Sequence, residues 1–86
     1  MLKASYRELV CKNVAHILRQ ERQRKDISMT RLAEMAGLSQ GMISLIEHEE
    51  RNPSLDTLVR ICCALEIDLS AVLAHAERLA KKGSAP

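Results

Sequence analysis

The sequence predicts an all-α fold of five helices. Its 86 residues include no Phe or Trp and a single Tyr, so the core must be built from Leu, Ile, Val, Met and Ala, which suits closely packed helices. Apolar residues recur at intervals of three and four in several segments, as on the buried face of a helix. Gly37 stands between two such segments, where one helix must end and the chain must turn. A chain of this length has room for one domain, at about residues 1–82.

The first helix is expected from Ser5 to about Lys25. Ser5 and Glu8 have the spacing of a capping box, in which each side chain bonds a backbone N–H at the helix start. The apolar stripe of this helix consists of Leu9, Val10, Val14, Ile17 and Leu18. A stripe with this spacing must pack against another part of the protein.

The second and third helices are expected at about residues 29–36 and 40–48. Ser28 and Ser39 precede them, and each serine can cap its helix by accepting a backbone N–H. Gly37 separates the two helices, because a residue without a Cβ adopts a positive φ at little cost.

Small side chains in the second helix allow its close approach to the third. Leu32, Ala33 and Ala36 fall on one helical face, and the two alanines permit packing at a steep angle. The order of elements therefore predicts a helix, a tight turn and a second helix over about residues 28–48.

The fourth and fifth helices complete the predicted fold. Ser54 can cap a helix over about residues 55–65, and Asp68 can cap one over about residues 69–82. The apolar side of the fifth helix consists of Leu69, Val72, Leu73, Ala76 and Leu79 or Ala80. Residues 83–86 are expected to form a loose tail.

These segments resemble the phage-repressor and Cro-type helix-turn-helix family, also called XRE-like, over about residues 14–73. The motifs that carry the resemblance are Leu32-Ala33, Gly37-Leu38-Ser39, Ile43-Ser44, Ile46-Glu47 and Arg51-Asn52-Pro53-Ser54-Leu55, followed by Leu58, Ile61-Cys62 and Ala64-Leu65. The resemblance implies a compact lambda-repressor-like DNA-binding domain whose second and third helices form the helix-turn-helix. In size the chain resembles the controller proteins of restriction-modification systems.

Two positions depart from the family pattern, which usually has glycine where this chain has Glu49 and Glu66. Each follows the end of a predicted helix. A glutamate held in the left-handed conformation there costs about 1 kcal/mol, and the alternative is a rearranged turn. Either outcome concerns the loops and leaves the third helix unchanged.

The third helix is expected to carry the function, because its two sides differ in character. Ile43, Ile46 and Glu47 point to one side. The other side is polar at its N-terminal end and lacks bulky charge, which fits a helix lying in the major groove of DNA. The resemblance implies base contacts at Gln40, Gly41, Ser44 and Leu45. The alternative is an ordinary solvent-facing helix, although a glycine inside a helix costs about 1 kcal/mol relative to alanine.

Contacts to the DNA backbone are expected near helix N-termini, whose unpaired N–H groups attract phosphate. The residues assigned to these contacts are Ser28, Met29, Ser39, His48 and Arg51. The family often has glutamine at the position of Met29, so only the backbone N–H of Met29 is expected to contribute. Arg51 matches an arginine that the family often uses near the DNA backbone, and the alternative is a solvated loop charge.

The resemblance also implies a structural ion pair between the first and third helices. The residues that match Arg22 and Glu47 pair with each other in the family, so both are assigned to stability rather than to recognition. Removing one partner from such a pair costs about 3–5 kcal/mol when the pair is fully buried.

Charge is distributed unevenly along the chain. Residues 1–31 hold eight Lys or Arg and three acids, a net charge of +5, whereas residues 32–56 carry −4 and residues 57–86 carry +1. A DNA-binding surface needs cations to displace counterions. The cations expected to supply most of the field are Arg19, Arg22, Arg24, Lys25 and Arg31. Because the net charge of the whole chain is only +2, one subunit is expected to bind DNA weakly. Dimerisation is therefore more necessary.

A homodimer is expected, because two recognition helices related by a two-fold axis read a palindrome. By resemblance we prefer the fifth helix as the dimer interface, with the residues Val72, Leu73, Ala76 and Leu79. The alternative interface is the start of the first helix, with Tyr6, Leu9 and Val10.

Other classes of site are not indicated. His16, His48 and His75 are isolated and no Cys-x-x-Cys pair exists, so no metal and no cofactor are expected. Three cysteines cannot all pair, and a bridge between the adjacent Cys62 and Cys63 would be strained, which favours reduced thiols.

No apolar run or secretory signal indicates a membrane or an exported protein, so a cytoplasmic location is expected. No motif groups a nucleophile, a base and an orienting residue, which argues against an enzyme.

We therefore expect a sequence-specific transcriptional regulator, either a repressor or an activator, that binds a palindromic operator in double-stranded DNA as a homodimer. No small-molecule ligand is evident. The alternative is a protein-interaction module of the same fold, such as an antitoxin or an adaptor that binds a partner through the acidic segment. A regulator binds a palindromic duplex with an affinity that falls steeply as salt rises, whereas an adaptor does not.

Overall fold

The computed structural model describes residues 4–83. Five helices follow one another along the chain: α1 (Ala4–Arg24), α2 (Met29–Ala36), α3 (Gln40–Glu47), α4 (Leu55–Leu65) and α5 (Leu69–Lys81). Residues 4–83 contain no strand, so the predicted all-α fold of five helices is confirmed. Of the tail predicted at residues 83–86, the last three residues lie outside the described range.

Three helices begin where a serine caps them. Each serine Oγ accepts the backbone N–H of the residue three positions later, at 3.0 Å for Ser28 and at 3.1 Å for Ser39 and Ser54. Each bond satisfies one of the N–H groups that the start of a helix leaves without a partner. The second and fourth helices have the predicted bounds, and the third ends one residue earlier than predicted.

Of the two other predicted caps, the one at Ser5 is wrong, and the one at Asp68 is confirmed in its position but not in its side-chain hydrogen bond. α1 already includes Ala4, so Ser5 lies inside the helix and cannot cap its start. Asp68 has the extended backbone of an N-cap residue, but its side chain makes no capping hydrogen bond to α5. Sequence spacing identifies a residue that is able to cap a helix, whereas the exact helix start and the side-chain rotamer depend on the surrounding packing.

Four helices end with the same pair of backbone hydrogen bonds. After α4, for example, the N–H of Glu66 donates to the Cys63 carbonyl at 3.1 Å and the N–H of Ile67 donates to the Cys62 carbonyl at 3.0 Å. This arrangement needs one residue in the left-handed conformation, a position that glycine occupies at least cost. The four left-handed residues are Asp26 (φ 57°), Gly37 (φ 71°), Glu49 (φ 61°) and Glu66 (φ 57°). The glutamates therefore keep the family turns, and Asp26 adds one that was not predicted from the sequence.

The core is aliphatic and receives side chains from every helix. Its largest fully buried apolar side chains are Leu18, Leu32, Ile43, Ile46, Ile61 and Leu65, each at most 2% exposed. α5 packs along α1, α2 packs against α3 and α4, and α1 also contacts α3 and α4. Burying each of these large side chains contributes about 1.5–3 kcal/mol, so this packing dominates the stability of the fold.

The apolar side of α5 is used within the subunit. Val72 and Ala76 are 4% and 0% exposed, and the buried Asn13 of α1 donates from Nδ2 to the Ala76 carbonyl at 3.1 Å. These two side chains therefore cannot face a second subunit, which corrects their assignment to a dimer interface. Leu73 and Leu79 are half-buried. The periodicity of α5 showed that its apolar side needs a partner, but could not show that the partner is α1.

Candidate nucleic-acid interface

Gly37 sets the geometry between α2 and α3. Its φ of 71° and ψ of 35° are left-handed, and the N–H of Leu38 donates to the Ala33 carbonyl at 2.9 Å. A Cβ at Gly37 would lie 3.1 Å from Nη1 of Arg60, on α4. Both the backbone conformation and the close side chain therefore favour glycine at this turn.

The inner side of α3 is held to α1 by a buried ion pair. Arg22 donates from Nε and Nη2 to the two carboxylate oxygens of Glu47, at 2.7 Å and 2.9 Å. Its Nη1 also donates to the Ile27 carbonyl at 2.7 Å. The hydrogen bonds to Glu47 raise the pKa of the Arg22 guanidinium. Arg22 is 8% and Glu47 5% exposed, so the pair that the resemblance implies is present and is not accessible to DNA.

The four residues assigned to base reading lie on the side of α3 opposite this core. Gln40 and Gly41 are exposed, and Ser44 and Leu45 are half-buried. Positions i, i+1, i+4 and i+5 share one helical face. The structure therefore brings the four together on one side of α3, where Gln40 and Gly41 are exposed and Ser44 and Leu45 are partly covered.

The side chain of Gln40 is oriented by a residue of α2. Its Nε2 donates to Sδ of Met29 at 3.6 Å. A thioether sulfur is an acceptor and not a donor, so it orients the amide with nitrogen towards Met29. The carbonyl oxygen and the second amide hydrogen of Gln40 remain for another partner. From the sequence, only a backbone N–H was expected of Met29, and this side-chain contact was missed.

Ser44 and His48 form a second local arrangement on α3. His48 Nδ1 lies 2.8 Å from the Ser44 carbonyl oxygen and 3.3 Å from the Ser44 Oγ. Because a carbonyl oxygen only accepts, the Nδ1 atom must carry a hydrogen in this arrangement. Ser44 therefore keeps its own hydroxyl hydrogen for donation to another group.

The residues assigned to the DNA backbone lie at the starts of α2 and α3, at the end of α3 and in the loop after it. Ser28 and Ser39 are exposed at the starts of α2 and α3, where their Oγ atoms act as caps. Met29 is half-buried, His48 is exposed at the end of α3, and Arg51 is exposed in the loop that follows. Two helix starts, each with unpaired N–H groups, thus accompany the outer side of α3.

The cations expected from α1 are mostly engaged within the protein, which corrects the predicted source of positive field. Besides the buried Arg22, Arg24 bonds Glu21 at 2.7 Å, and this hydrogen bond lowers the pKa of Glu21. Lys25 donates from Nζ to the Leu65 carbonyl at the end of α4. These long side chains reach carbonyl and carboxylate groups nearby in space, which charge counting cannot reveal.

Exposed charges of both signs lie on α2, before α3, and in the loop after α3. Arg31 has a side chain that is 65% exposed and lies 3.8 Å from Glu34. Glu49 and Glu50 are exposed after α3. The local potential is therefore mixed, and it favours phosphate near Arg31 and disfavours it near the two glutamates.

The three cysteines are free thiols in different environments. Cys62 is buried, Cys11 half-buried and Cys63 exposed. Burial raises the pKa of the Cys62 thiol, which makes it unreactive and suits a core residue.

Within residues 4–83, no helix has the length and apolar character needed to cross a lipid bilayer.

The family model for helix-turn-helix proteins matches residues 18–72. The chain is 36% identical over 75 residues to the transcriptional regulator ClgR of Mycobacterium tuberculosis, covering 86% of this chain and 67% of that protein. It is 38% identical over 64 residues to the immunity repressor protein of Bacillus phage phi105, covering 74% of this chain and 44% of the repressor. Against the HTH-type transcriptional regulator SutR of Escherichia coli it is 38% identical over 56 residues, 65% of this chain and 32% of SutR. The chain thus spans from about a third to two thirds of the length of these relatives.

Solved structures agree with the family match. The clp gene regulator ClgR from Corynebacterium glutamicum superimposes with a TM-score of 0.78 and 27% identity, covering 87% of this chain and 80% of that chain. A point mutant of the restriction-modification controller protein C.Esp1396I superimposes with a TM-score of 0.76 and 23% identity, covering 85% of this chain and 95% of that chain. The second likeness supports the fold alone.

Proposed function

The chain belongs to the helix-turn-helix family, and from that premise we propose that it is a sequence-specific transcriptional regulator that reads double-stranded DNA with α3. The observation that carries the proposal is the outer side of α3, where four residues suited to base contacts lie together, two of them exposed and two half-buried. The capped helix start and the Arg22–Glu47 pair hold this side rigidly, so little conformational freedom is lost on binding.

Each residue of the outer side has a distinct role in the proposed complex. Gln40 accepts from N6 and donates to N7 of adenine, using the oxygen and the amide hydrogen that Met29 does not engage. Ser44 donates its hydroxyl hydrogen to an acceptor on a base edge. Leu45 packs on a thymine methyl group, and Gly41 permits close approach of the duplex.

Backbone contacts position α3 in the groove in this proposal. Phosphates bind the N–H groups at the starts of α2 and α3, near Ser28, Met29 and Ser39. Arg51 and His48 contact the strand beyond the other end of α3. Because several cations of α1 are engaged internally, few phosphates are neutralised and one subunit binds weakly.

The regulator acts as a homodimer on a palindromic operator, since one α3 reads only part of a site. Binding at a promoter in the cytoplasm sterically controls RNA polymerase. The support is the family match together with the names of two relatives, a transcriptional regulator and an immunity repressor.

Selection of bound duplexes from random DNA tests the proposal. The expected result is one palindromic motif, bound with an affinity that falls as salt rises from about 50 to 200 mM. Gln40→Ala should change the preference at one base pair in each half-site, and Gln23→Ala, an exposed glutamine of α1, serves as the matched control. A uniform loss across all sequences would assign Gln40 to the phosphates, and no binding at low salt would refute the proposal.

A protein-interaction module is the second candidate, and the exposed Glu49 and Glu50 beside α3 favour it. Such an antitoxin or adaptor would bind a basic surface of a partner protein through the acidic segment. It predicts no binding to any duplex in the same selection and stable co-purification with one protein, so a single preparation distinguishes the two functions.

A further inference from the structure

Two adjoining cavities lie along α1, next to the loop between α3 and α4. One has a volume of about 160 Å³ and the other a volume of about 150 Å³. They share the lining residues Cys11, Asn52 and Pro53, so they meet at one wall and form a single cleft, called here the α1 cleft. Together the two volumes reach the lower end of the range of small-molecule sites, roughly 300–1,000 Å³.

The two cavities differ in the chemistry of their walls. The first has charged side chains, namely the cations Arg7, Lys12 and Arg51 and the carboxylates Glu8 and Glu49. These charges sum to +1. To the shared wall the second cavity adds only apolar side chains, those of Val10, Val14, Leu58 and Leu73. The cleft therefore has one charged part, the cationic cavity, and one hydrophobic part, the apolar cavity.

The cations of the cationic cavity are not engaged within the protein. In the part of the chain that the structure describes, Arg7, Lys12 and Arg51 form no ion pair. Arg60, by contrast, bonds Asp56 at 2.9 Å. A guanidinium without a partner beside a cavity is available to a ligand of opposite charge, and an arginine can hold a carboxylate by two parallel hydrogen bonds.

We propose that the α1 cleft binds a small aliphatic monocarboxylate, with the carboxylate in the cationic cavity and the hydrocarbon chain in the apolar cavity. The chain leaves water there, which favours binding. The net charge of +1 on the wall of the cationic cavity balances one negative charge. A second carboxylate at the far end of the chain would lie in the apolar cavity, where an unpaired charge is costly.

The cleft also adjoins the DNA-reading helix, because Ile46 of α3 and Arg51 of the following loop line the cationic cavity. The next step rests on the proposed function, in which Arg51 contacts the DNA backbone. An Arg51 that bonds the ligand's carboxylate cannot neutralise a phosphate, so the ligand and DNA compete for it. By linkage, each weakens the binding of the other by the same factor. The regulator then releases its operator when the carboxylate accumulates.

Alkylation of Cys11 tests ligand binding without DNA, because this half-buried thiol lies in the wall that both cavities share. Iodoacetamide is an uncharged reagent, and the exposed Cys63 on α4 is the internal reference. A ligand as small as hexanoate should bind with a Kd of about 1 mM. Sodium hexanoate at about 10 mM should therefore slow the alkylation of Cys11 about tenfold and leave that of Cys63 unchanged. No slowing, or equal slowing at both cysteines, would overturn the inference.

Three related compounds test the chemistry of the ligand at the same concentration. Acetate has the charge without the chain, hexylamine has the chain with the opposite charge, and adipate has a second carboxylate. None of the three should protect Cys11 as hexanoate does. Equal protection by acetate or adipate would remove the apolar cavity from the site, and equal protection by hexylamine would remove the cations. Each of these results would overturn the inference.

Variants of the two cavities test where the ligand lies. Arg7→Gln should weaken hexanoate binding about threefold, with Arg78→Gln, an exposed cation of α5, as the matched control. Val10→Phe should fill the apolar cavity and abolish the protection of Cys11, whereas Gln20→Phe, on the exposed side of α1, should not. Unchanged protection in Arg7→Gln or in folded Val10→Phe would contradict the site, and the arginine variant decides alone if Val10→Phe fails to fold.

Operator binding tests the competition for Arg51. Relative to acetate at the same concentration, hexanoate should lower the affinity for the selected operator about fivefold and reduce the salt dependence by about one ion per subunit. Arg51→Gln should bind the operator more weakly and should not respond to hexanoate. An unchanged affinity of the wild type, or an equal response of Arg51→Gln, would overturn the competition.

The two assays also separate the failure of this inference from that of the proposed function. If hexanoate protects Cys11 and no duplex is bound, the α1 cleft stands and the regulator function fails. If a palindrome is bound and hexanoate does not protect Cys11, only the α1 cleft is wrong.

Discussion

Two halves of the molecule are held together by different kinds of interaction. In the half that contains α2, α3 and α4, each helix starts with a serine cap and ends in a left-handed turn. In the half that contains α1 and α5, two longer helices pack side by side, and Asn13 bonds the Ala76 carbonyl across them. The first half depends on residues a few positions apart, whereas the second depends on residues far apart in the chain.

The difference explains how a small domain keeps a binding face rigid. Short helices are marginal on their own, so α3 needs its cap, its turn and the Arg22–Glu47 pair to hold its orientation. That ion pair is a buried polar connection between the two halves, because it joins α1 to α3. Recognition and stability are therefore coupled at one buried contact.

Breaking that connection should have the largest effect. Glu47→Ala is expected to lower the free energy of unfolding by about 3–5 kcal/mol, because it leaves the buried Arg22 charge without its carboxylate. Urea unfolding measures the loss, with the exposed Glu49→Ala as the matched control. An unchanged melting temperature would mean that the two halves do not depend on the pair.

The α1–α5 half can be weakened alone by Asn13→Ala. The loss of the hydrogen bond to the Ala76 carbonyl in the core is expected to cost about 1–3 kcal/mol. DNA preference should stay unchanged, because the hydrogen bond that is removed joins α1 to α5 and not to α3. A changed preference in the duplex selection would show that the packing of α1 on α5 also sets the orientation of α3.

Two turns in the half that contains α2, α3 and α4 can be made more stable. Glu66→Gly and Glu49→Gly should each raise the free energy of unfolding by about 0.5–1 kcal/mol, since glycine relieves the left-handed conformation. Glu34→Gly, in the middle of α2, is the control and should be destabilising. Thermal melts of the three variants decide the matter, and a loss of stability at position 66 would contradict the strain.

The smallest effect is expected at the contact between α2 and α3. Met29→Ala should reduce discrimination at the base pair read by Gln40 about threefold, because the amide loses a weak hydrogen bond that orients it. Met35→Ala, an exposed methionine of the same helix, should leave discrimination unchanged. Competition binding with single-base operator variants measures both, and equal effects would remove Met29 from the reading surface.

Much of the helix-turn-helix half was predictable from the sequence. The bounds of α2 and α4, the turn at Gly37 and the inward side of α3 with Ile43 and Ile46 follow from caps, glycine and periodicity. The Met29 contact to Gln40 was not predictable, since the thioether is an unusual replacement for a polar side chain. The engagement of Lys25 with the Leu65 carbonyl joins positions 40 apart, which no local pattern reveals.

Local sequence sets where α2, α3 and α4 begin and end and which side of α3 faces outwards. These features depend on backbone N–H groups and left-handed residues within one or two turns of each other. Three other features came only from packing in three dimensions: α5 places its apolar side against α1, Leu55 and Val59 of α4 stay exposed, and Arg22 and Lys25 are engaged within the protein. Those outcomes depend on which surfaces meet, as Asn13 and Ala76 do across 63 positions, and hydrophobic burial is non-directional, so an apolar stripe does not specify its own partner.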